Sequence, residues 1–598
     1  LAKHNHPAAN QGWWTIWPEI FNAELAAFAR LGIRPRTIHK GNGVLILEAD
    51  WPVDRQSAPM LLRIGYSPLH PFFRPAVAAP NESFERHQNP LSRELCLLTQ
   101  ESGQWDSNQL GADFVQERLD HLLRALAARK DGRWEDAAEL EEQVADQLMP
   151  YFAGASEEDS VILFDGQAGL PSGQHGLMEV ACASRPTKRN GAAFEGVLRQ
   201  LKTSTGTAIG KRFGFPAEPE GAQVITARWV KFTPPANVDA GELLRFAEEE
   251  LARQAVLQPT SVQKVNDAAR GPFSVTGIVF PEESEYGLQK NGAGWLFLAT
   301  RRGLADEKTG ADETRLIRGE RAAKDDTFSR LPVARSLLTK KALVIGCGAI
   351  GSFAGLEMAR AGVGEIALLD FDTVQPGNSL RWPLGRTVWG SSKAIALANF
   401  IASNYSWTKA STVEGRLGTA VTEPVGIPRH LRNVLTPVFD ELRSADVVID
   451  ATASPEVQLA LSHCCRQFRV PYVMGYATLG VAGGVVARFL PASAGCFVCL
   501  NEHWKDKQHI PEPRVDDVGV VIPVGCNAPT FTGGGFDLQE ISLEMVRTAV
   551  GLLSEGNYDP GDWDVAILAL KDDRDARMLP QWEAFQCPPH PKCCGAAR

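Results

Sequence analysis

Apolar residues recur at helical spacing near the start of the chain, at Trp13, Trp17, Ile20, Phe21, Leu25, Phe28 and Leu31. This stripe predicts an amphipathic helix between residues 12 and 35. Extended segments are predicted around Gly43 to Ala49 and Pro59 to Tyr66, followed by a Pro-rich stretch from Pro68 to Pro80. Helical spacing returns in Phe114 to Ala127 and in Trp134 to Pro150, giving an α+β unit of about 150 residues. Strand-like runs then occupy Ser160–Phe164, Gln223–Phe232, Phe273–Phe280 and Trp295–Thr300, with a helix from about Ala240 to Val256. The charged stretch Arg301 to Asp326 reads as an exposed loop or linker. Beyond it the pattern sharpens. Buried-strand runs at Lys340–Ile345, Glu365–Asp370, Asp446–Ala451 and Val470–Gly475 alternate with helical stretches, which predicts a largely parallel sheet covered on both faces.

At 598 residues the chain is too long for one core. The elements group into 1–152, 153–330 and 331–598, and the middle region offers no catalytic constellation. A formal net charge of -10 argues against nucleic-acid binding, which needs clustered Lys and Arg. No apolar run reaches the length of a membrane span. Leu1 to Gln11 lack the basic and apolar regions of an export signal, so a cytoplasmic location is expected. Of the 11 cysteines, only Cys96 and Cys182 precede Cys347. In that setting uneven cysteines suggest thiol chemistry or metal ligation before disulfides.

Gly346, Gly348 and Gly351 form GCGAIG directly after a strand and at the start of a helix. Glycines there allow a tight turn and close phosphate approach, and the helix N-terminus adds backbone donors and a positive dipole. Asp370 ends the next strand, where an acid binds ribose in dinucleotide enzymes, so these features alone fit a nicotinamide dehydrogenase equally well. The segment LLDFDTVQPGNSLRWPLGRTVWGSSKA then adds Asp372, Asn378, Arg381 and Lys393. A hydride-transfer enzyme has no use for these cations, whereas a departing polyphosphate does. From about Leu331 to Arg598 the chain resembles the ThiF/MoeB-type adenylation domain of ubiquitin-activating (E1) enzymes. The resemblance implies ATP as cofactor. It gives the glycine loop and the Asp370 region to the nucleoside, and Asn378, Arg381 and Lys393 to the phosphates and the acyl transition state. Where the family has a Mg²⁺-holding aspartate, VIDATASPE offers Ala453, leaving Asp450 as the nearby substitute.

Cys496 and Cys499 form a CxxC, and the tail QCPPHPKCCG adds Cys587, His590, Cys593 and Cys594. A CxxC meeting a distant second half is a common way to build a tetrahedral zinc site, although unmetallated thiols have the same spacing. The resemblance supports a structural Zn²⁺, with Cys496, Cys499, Cys587 and Cys593 as its expected ligands. Cys526 lies in a Gly/Pro/Thr-rich loop before the helix Gln539–Leu553, a setting that suits either a nucleophilic thiolate or an inert buried cysteine. Its place matches the catalytic-cysteine loop of activating enzymes.

Around Cys96 the chain reads FERHQNPLSRELCLLTQESGQWDSNQL, downstream of LLRIGYSPLHPFFRPAV. Strand, Pro-rich turn, HxN, cysteine, tryptophan and helix together resemble the ubiquitin-conjugating (E2, UBC) fold over residues 15 to 150. The resemblance implies that Cys96 is the thioester-forming residue. It puts His87 and Asn89 in the His-Pro-Asn motif, with Gln88 replacing proline, and Trp105 at the structural tryptophan. Asn89 would supply an oxyanion donor.

The expected fold class is therefore α/β multidomain. It comprises a UBC-like α+β domain, a mixed α/β linker domain and a Rossmann-like adenylation domain. This order resembles the bacterial E1–E2 fusion proteins of CBASS anti-phage operons. That resemblance implies a cGAS/DncV-like nucleotidyltransferase as the activated protein, an amine on a protein or small molecule as the acceptor, and a homodimer. A pathway with a separate ubiquitin-like modifier, a sulfur-carrier-protein adenylyltransferase, and a non-catalytic scaffold are the alternatives.

Overall fold

The computed structural model describes residues 12–593, except 54–57, 85, 90, 98–104, 134–147, 153–159, 166–170, 187–191, 211, 214–217, 220, 236–237, 254–264, 268–270, 284–290, 307–310, 323–326, 329, 419–434, 508, 517–519 and 522–529. The chain divides into two compact units, Leu1–Asp326 and Thr327–Arg598. No helix among the described residues is long and apolar enough to cross a membrane.

The first unit opens with two helices, Trp13–Ile16 and Pro18–Arg30, where the sequence predicted one. Pro18 explains the break. It has no N–H with which to continue the preceding turn, and its fixed φ suits the first helical position. Ala27 and Phe28 of the second helix pack on an antiparallel meander of Arg36–Gly41, Val44–Trp51, Met60–Tyr66 and Ala76–Ala78. Along Met60–Tyr66, buried Met60, Leu62, Ile64 and Tyr66 alternate with more accessible neighbours, the period-2 pattern of a half-buried sheet. The helix Gly111–Lys130 follows the Cys96 segment. Buried Glu24 accepts from the Gly111 N–H at 2.9 and 3.0 Å and from the Tyr66 hydroxyl at 2.9 Å. A carboxylate thus sits against the positive end of that helix. The predicted helix Trp134–Pro150 lies largely outside the described residues.

The remainder of this unit is a closed barrel. In spatial order its strands are Gly271–Glu283, Asn291–Asp306, Ala311–Arg321, Val161–Phe164, Ala192–Lys202, His175–Pro186 and Gln223–Lys231. Gln223–Lys231 pairs in parallel with Gly271–Glu283 and closes the ring. Two apolar clusters use opposite faces of the same strands. Trp295 and Phe297 belong to one with Phe273 and Trp229, whereas Leu296 and Leu298 join Leu243 and Ala247 of the helix Ala240–Arg253. The charged run Arg301 to Asp326, expected as a loop, instead extends one strand to Asp306 and forms another over Ala311–Arg321. Antiparallel pairing continues the ladder from Leu296–Arg318 to Arg301–Glu313, so backbone hydrogen bonds override the polar composition.

The second unit is an eight-stranded sheet ordered Lys409–Thr412, Glu365–Leu369, Lys341–Ile345, Val447–Asp450, Tyr472–Ala477, Gly483–Phe489, Val565–Lys571 and Arg577–Phe585. The first five strands run parallel, as predicted, and the last three add antiparallel pairs. Helices Gly351–Arg360, Lys393–Asn404 and Gly535–Leu553 bury one face through Met358, Leu397, Ile401, Ile541 and Met545. Helices Thr436–Ser444, Pro455–Phe468 and Phe497–Asp506 bury the other through Leu442, Leu461 and Leu500. Lys341–Ile345 pairs with Glu365–Leu369 on one side and Val447–Asp450 on the other. The chain reverses direction across the sheet at this strand, and the crevice at its carboxyl end is where open α/β sheets bind ligands.

Candidate active site

The glycine loop follows Lys341–Ile345 and enters the helix Gly351–Arg360. Gly346 has φ 86, and a Cβ on Gly351 would lie 1.8 Å from the Gly346 carbonyl oxygen, so neither position accepts a side chain. A Cβ on Gly348 would meet nothing within 4 Å, because this residue borders open space. One cleft is lined by Gly348, Asn378, Arg381, Trp382, Lys393 and Ala453 among others. The turn Pro376–Leu380 supplies Asn378, whose side-chain oxygen accepts from the Gln375 N–H at 2.8 Å. Lys393 is the first residue of its helix, is mostly buried, and pairs with Asp372 at 2.7 Å.

Asp370 stands behind the loop. Its carboxylate accepts from the Cys347 N–H at 2.6 Å and the Asp372 N–H at 2.7 Å. Burial raises its pKa, against the opposing pull of Lys393 and these two donors. Asp450 is placed differently. It is fully buried, accepting from the Thr452 N–H at 2.9 Å, the Thr452 hydroxyl at 2.7 Å and the Tyr472 hydroxyl at 2.7 Å. Burial raises its pKa too. Its oxygens organise the turn after Val447–Asp450 and do not line the cleft. Ala453, which does, has φ 53.

On the opposite side of the sheet, the sulfurs of Cys496, Cys499 and Cys593 lie within 4.8 Å of one another. Cys496 is 3.8 Å from Cys499 and 3.6 Å from Cys593. A tetrahedral zinc with Zn–S bonds of about 2.3 Å holds its sulfurs roughly 3.8 Å apart, so these three fit that ion. Burial opposes ionisation of Cys499, yet the N–H groups of His590 and Cys496 together with neighbouring thiols hold its pKa below the usual range. Cys587, expected as the fourth ligand, is not one of the three. Its sulfur is 4.0 Å from the Cys496 carbonyl oxygen, and burial pushes its pKa up. Gly495 admits this tail, since a Cβ there would be 2.0 Å from the Cys587 carbonyl oxygen. Cys594 and Cys526 lie outside the described residues.

In the first unit Cys96 is exposed, and its N–H donates to the His87 carbonyl at 2.8 Å. His87 has φ 60 and is buried. Buried Gln88 accepts from the Phe84 N–H at 2.8 Å and donates to the Ala79 carbonyl at 3.0 Å. The Asn89 side-chain oxygen accepts from the Leu91 and Ser92 N–H groups at 2.9 and 3.0 Å, which fixes the turn leading back to Cys96. Trp105 donates from its indole to the Pro71 carbonyl at 2.9 Å and packs edge-on against Phe114.

Protein y4oA of Sinorhizobium fredii, itself uncharacterized, is 42% identical over 98% of this chain and 98% of its own length. The chain belongs to the y4oA family. Residues 325–554 match the ThiF family model, and the second unit is an E1-like adenylation domain of that type. The sulfur carrier protein ThiS adenylyltransferase of Escherichia coli is 29% identical over 32% of the chain and 68% of its own length. The ATP-dependent ubiquitin transferase-like protein Cap2 of Enterobacter hormaechei is 28% identical over 38% of the chain and 35% of its own length.

For a ThiF-type domain, the lining of this cleft is short of acids. No carboxylate is among the described lining residues, and Asp450, the expected substitute for the Mg²⁺ aspartate, is engaged by three donors away from the cleft; Asp372, paired with the cleft residue Lys393, is the acid beside it. Sequence reasoning also missed Trp382, Ser352 and Ser542, which bind glycine-loop carbonyls. Trp382 follows Arg381 directly, which was its only signal in the sequence.

Proposed function

We propose that this y4oA-family protein uses ATP to activate the C-terminal carboxylate of a protein, then carries the acyl group through thioesters to an amine. One observation carries the reading: Gly348, Asn378, Arg381 and Lys393 line a single cleft at the carboxyl end of the parallel sheet. A carboxylate oxygen attacks the α-phosphorus, the bond to the β,γ-phosphates breaks, and pyrophosphate leaves with the electron pair. Arg381 and Lys393 offset the charge that builds on the departing group. Lys393 leaves Asp372 for phosphate in this step. A thiolate at Cys526 attacks the acyl carbon and expels AMP. Cys96 then displaces Cys526 by thioester exchange, and the nitrogen of an amine attacks the acyl carbon on Cys96, forming the amide and releasing the Cys96 thiolate and a proton.

Support for the conjugating half comes from the helix, meander, exposed cysteine and helix in the expected order, and from the hairpin that joins Cys96 to His87. We take the activated protein to be a cGAS/DncV-like nucleotidyltransferase in an anti-phage setting, or a ubiquitin-like protein. The partial likeness to Cap2, an ATP-dependent ubiquitin transferase-like protein, favours ubiquitin-like conjugation as the chemistry. A second reading, activation of a sulfur-carrier protein, is favoured by the likeness to ThiS adenylyltransferase and would leave Cys96 unused. The three-thiol cluster would hold a structural zinc, with the fourth ligand drawn from Cys587 or Cys594, and the working form would be a homodimer.

ATP–pyrophosphate exchange in the presence of a partner C-terminus tests the reading. Arg381→Ala and Lys393→Ala should each lower the exchange rate at least about 100-fold without unfolding the protein. Exchange at the wild-type rate in both variants would remove the cleft from the chemistry.

A further inference from the structure

The carbonyl groups of the glycine loop are held from three directions. Ser352, in the helix that follows, donates to the Gly348 carbonyl at 2.6 Å. Ser542, on Gly535–Leu553, is buried and donates to the Ile350 carbonyl at 2.9 Å. The third donor is the indole of Trp382, which reaches the Cys347 carbonyl at 2.8 Å. Trp382 is only 4% exposed and Cys347 is fully buried, so water does not replace this bond. The two peptide groups that flank the Cys347 Cα are thereby both held, because the Cys347 N–H donates to Asp370.

Trp382 differs from the other two donors in where it comes from. It lies one residue after Arg381 and lines the same cleft. Local hydrogen bonds shape the turn Pro376–Leu380 and Arg381, from the Asn378 N–H to the Gln375 carbonyl and from the Arg381 N–H to the Asn378 carbonyl, and the Trp389 indole donates to Ser379 at 2.7 Å. The Trp382 indole joins that segment to a loop 35 positions earlier in the chain. We infer that Trp382 is a positioning residue for nucleotide binding: its indole N–H fixes the spacing between the glycine loop and Arg381. This rests on the ATP-site reading above. A buried carbonyl left without its donor is costly enough for the loop to shift towards another partner. A loop displaced by even a fraction of an ångström no longer presents its N–H groups and Arg381 to the same phosphates.

The side-chain chemistry permits a test that separates hydrogen bonding from packing. In Trp382→Phe the ring is kept and the donor lost. In Trp382→Gln the ring is lost, but an amide N–H lies as many bonds from Cα as the indole N–H does. ATP affinity is measured by calorimetry on the full-length chain, alongside thermal unfolding. Trp382→Phe should weaken ATP binding about tenfold, equivalent to about 1.4 kcal/mol, and Trp382→Gln should stay within about twofold of wild type. Replacing Trp382 by benzothienylalanine, which lacks only the N–H, gives the same prediction should Phe prevent folding. ATP affinity unchanged in the Phe or benzothienyl variant overturns the inference. So does an equal loss in the Phe and Gln variants, which would make Trp382 a packing residue. Wild-type protein that binds no ATP would bring down the ATP-site reading as well, whereas wild-type binding with an unaffected Phe variant removes the inference alone.

Discussion

Tyr472 and Asp450 show how residues outside the cleft shape the adenylation unit. The Tyr472 hydroxyl supplies one of three hydrogen bonds to a carboxylate with no access to water. Tyr472→Phe should destabilise the fold by about 1–3 kcal/mol, the usual cost of orphaning a buried polar group. The pH dependence has a definite sign. Burial holds the folded-state pKa of Asp450 above its ordinary value, and loss of the Tyr472 donor moves it further up. The folded state therefore gains from protonation on acidification, and the deficit of the variant should be full at neutral pH and shrink as pH falls through the raised pKa. Thermal midpoints of wild type and variant at neutral and mildly acidic pH check this. Equal midpoints at neutral pH would contradict it. Legibility at this scale followed sequence distance. Gly346, Asp370, Asn378, Arg381 and Lys393 were readable because they fall within one strand–loop–helix passage and the segment after it. Tyr472 is 22 positions from Asp450, and Ser542 is 192 from Ile350, so no local pattern announces either pair.

At the scale of elements, periodicity served well wherever one face is buried. The strands Lys341–Ile345, Glu365–Leu369 and Tyr472–Ala477 and the helix Ala240–Arg253 all lie where apolar spacing put them. It failed at Ala311–Arg321, where charge obscured a strand whose ladder is completed by distant partners. Barrel closure between Gln223–Lys231 and Gly271–Glu283 was equally hidden, since pairing between strands far apart leaves no trace in local composition. The thiol cluster depends on two elements, Phe497–Asp506 behind its CxxC and the tail after Arg577–Phe585. Purified protein should carry about one zinc per chain. Cys496→Ser or prolonged chelation should lower metal content and thermal midpoint together, because the ion ties the tail to the helix. Metal analysis finding no zinc in protein purified without chelator would refute a structural ion.

For the whole molecule, the proposed relay predicts different arrest points for two thiol substitutions. Cys526→Ala should adenylate the partner but form no thioester, whereas Cys96→Ala should accumulate a reducible adduct on Cys526 and make no amide. Mixing the two variants should restore conjugation if transfer runs between chains, and non-reducing gels report each case. Full amide formation by Cys96→Ala would reduce the first unit to a docking role. The central claim, carboxylate activation in the cleft of the second unit, is tested most directly by intact mass spectrometry of the partner. With ATP and the Cys526→Ala chain, the partner should gain the mass of one AMP at its C-terminal carboxylate, and the gain should vanish when Arg381→Ala is added. A partner that remains unmodified with Cys526→Ala while conjugation proceeds with wild type would contradict activation by adenylation, as would AMP transfer that survives Arg381→Ala.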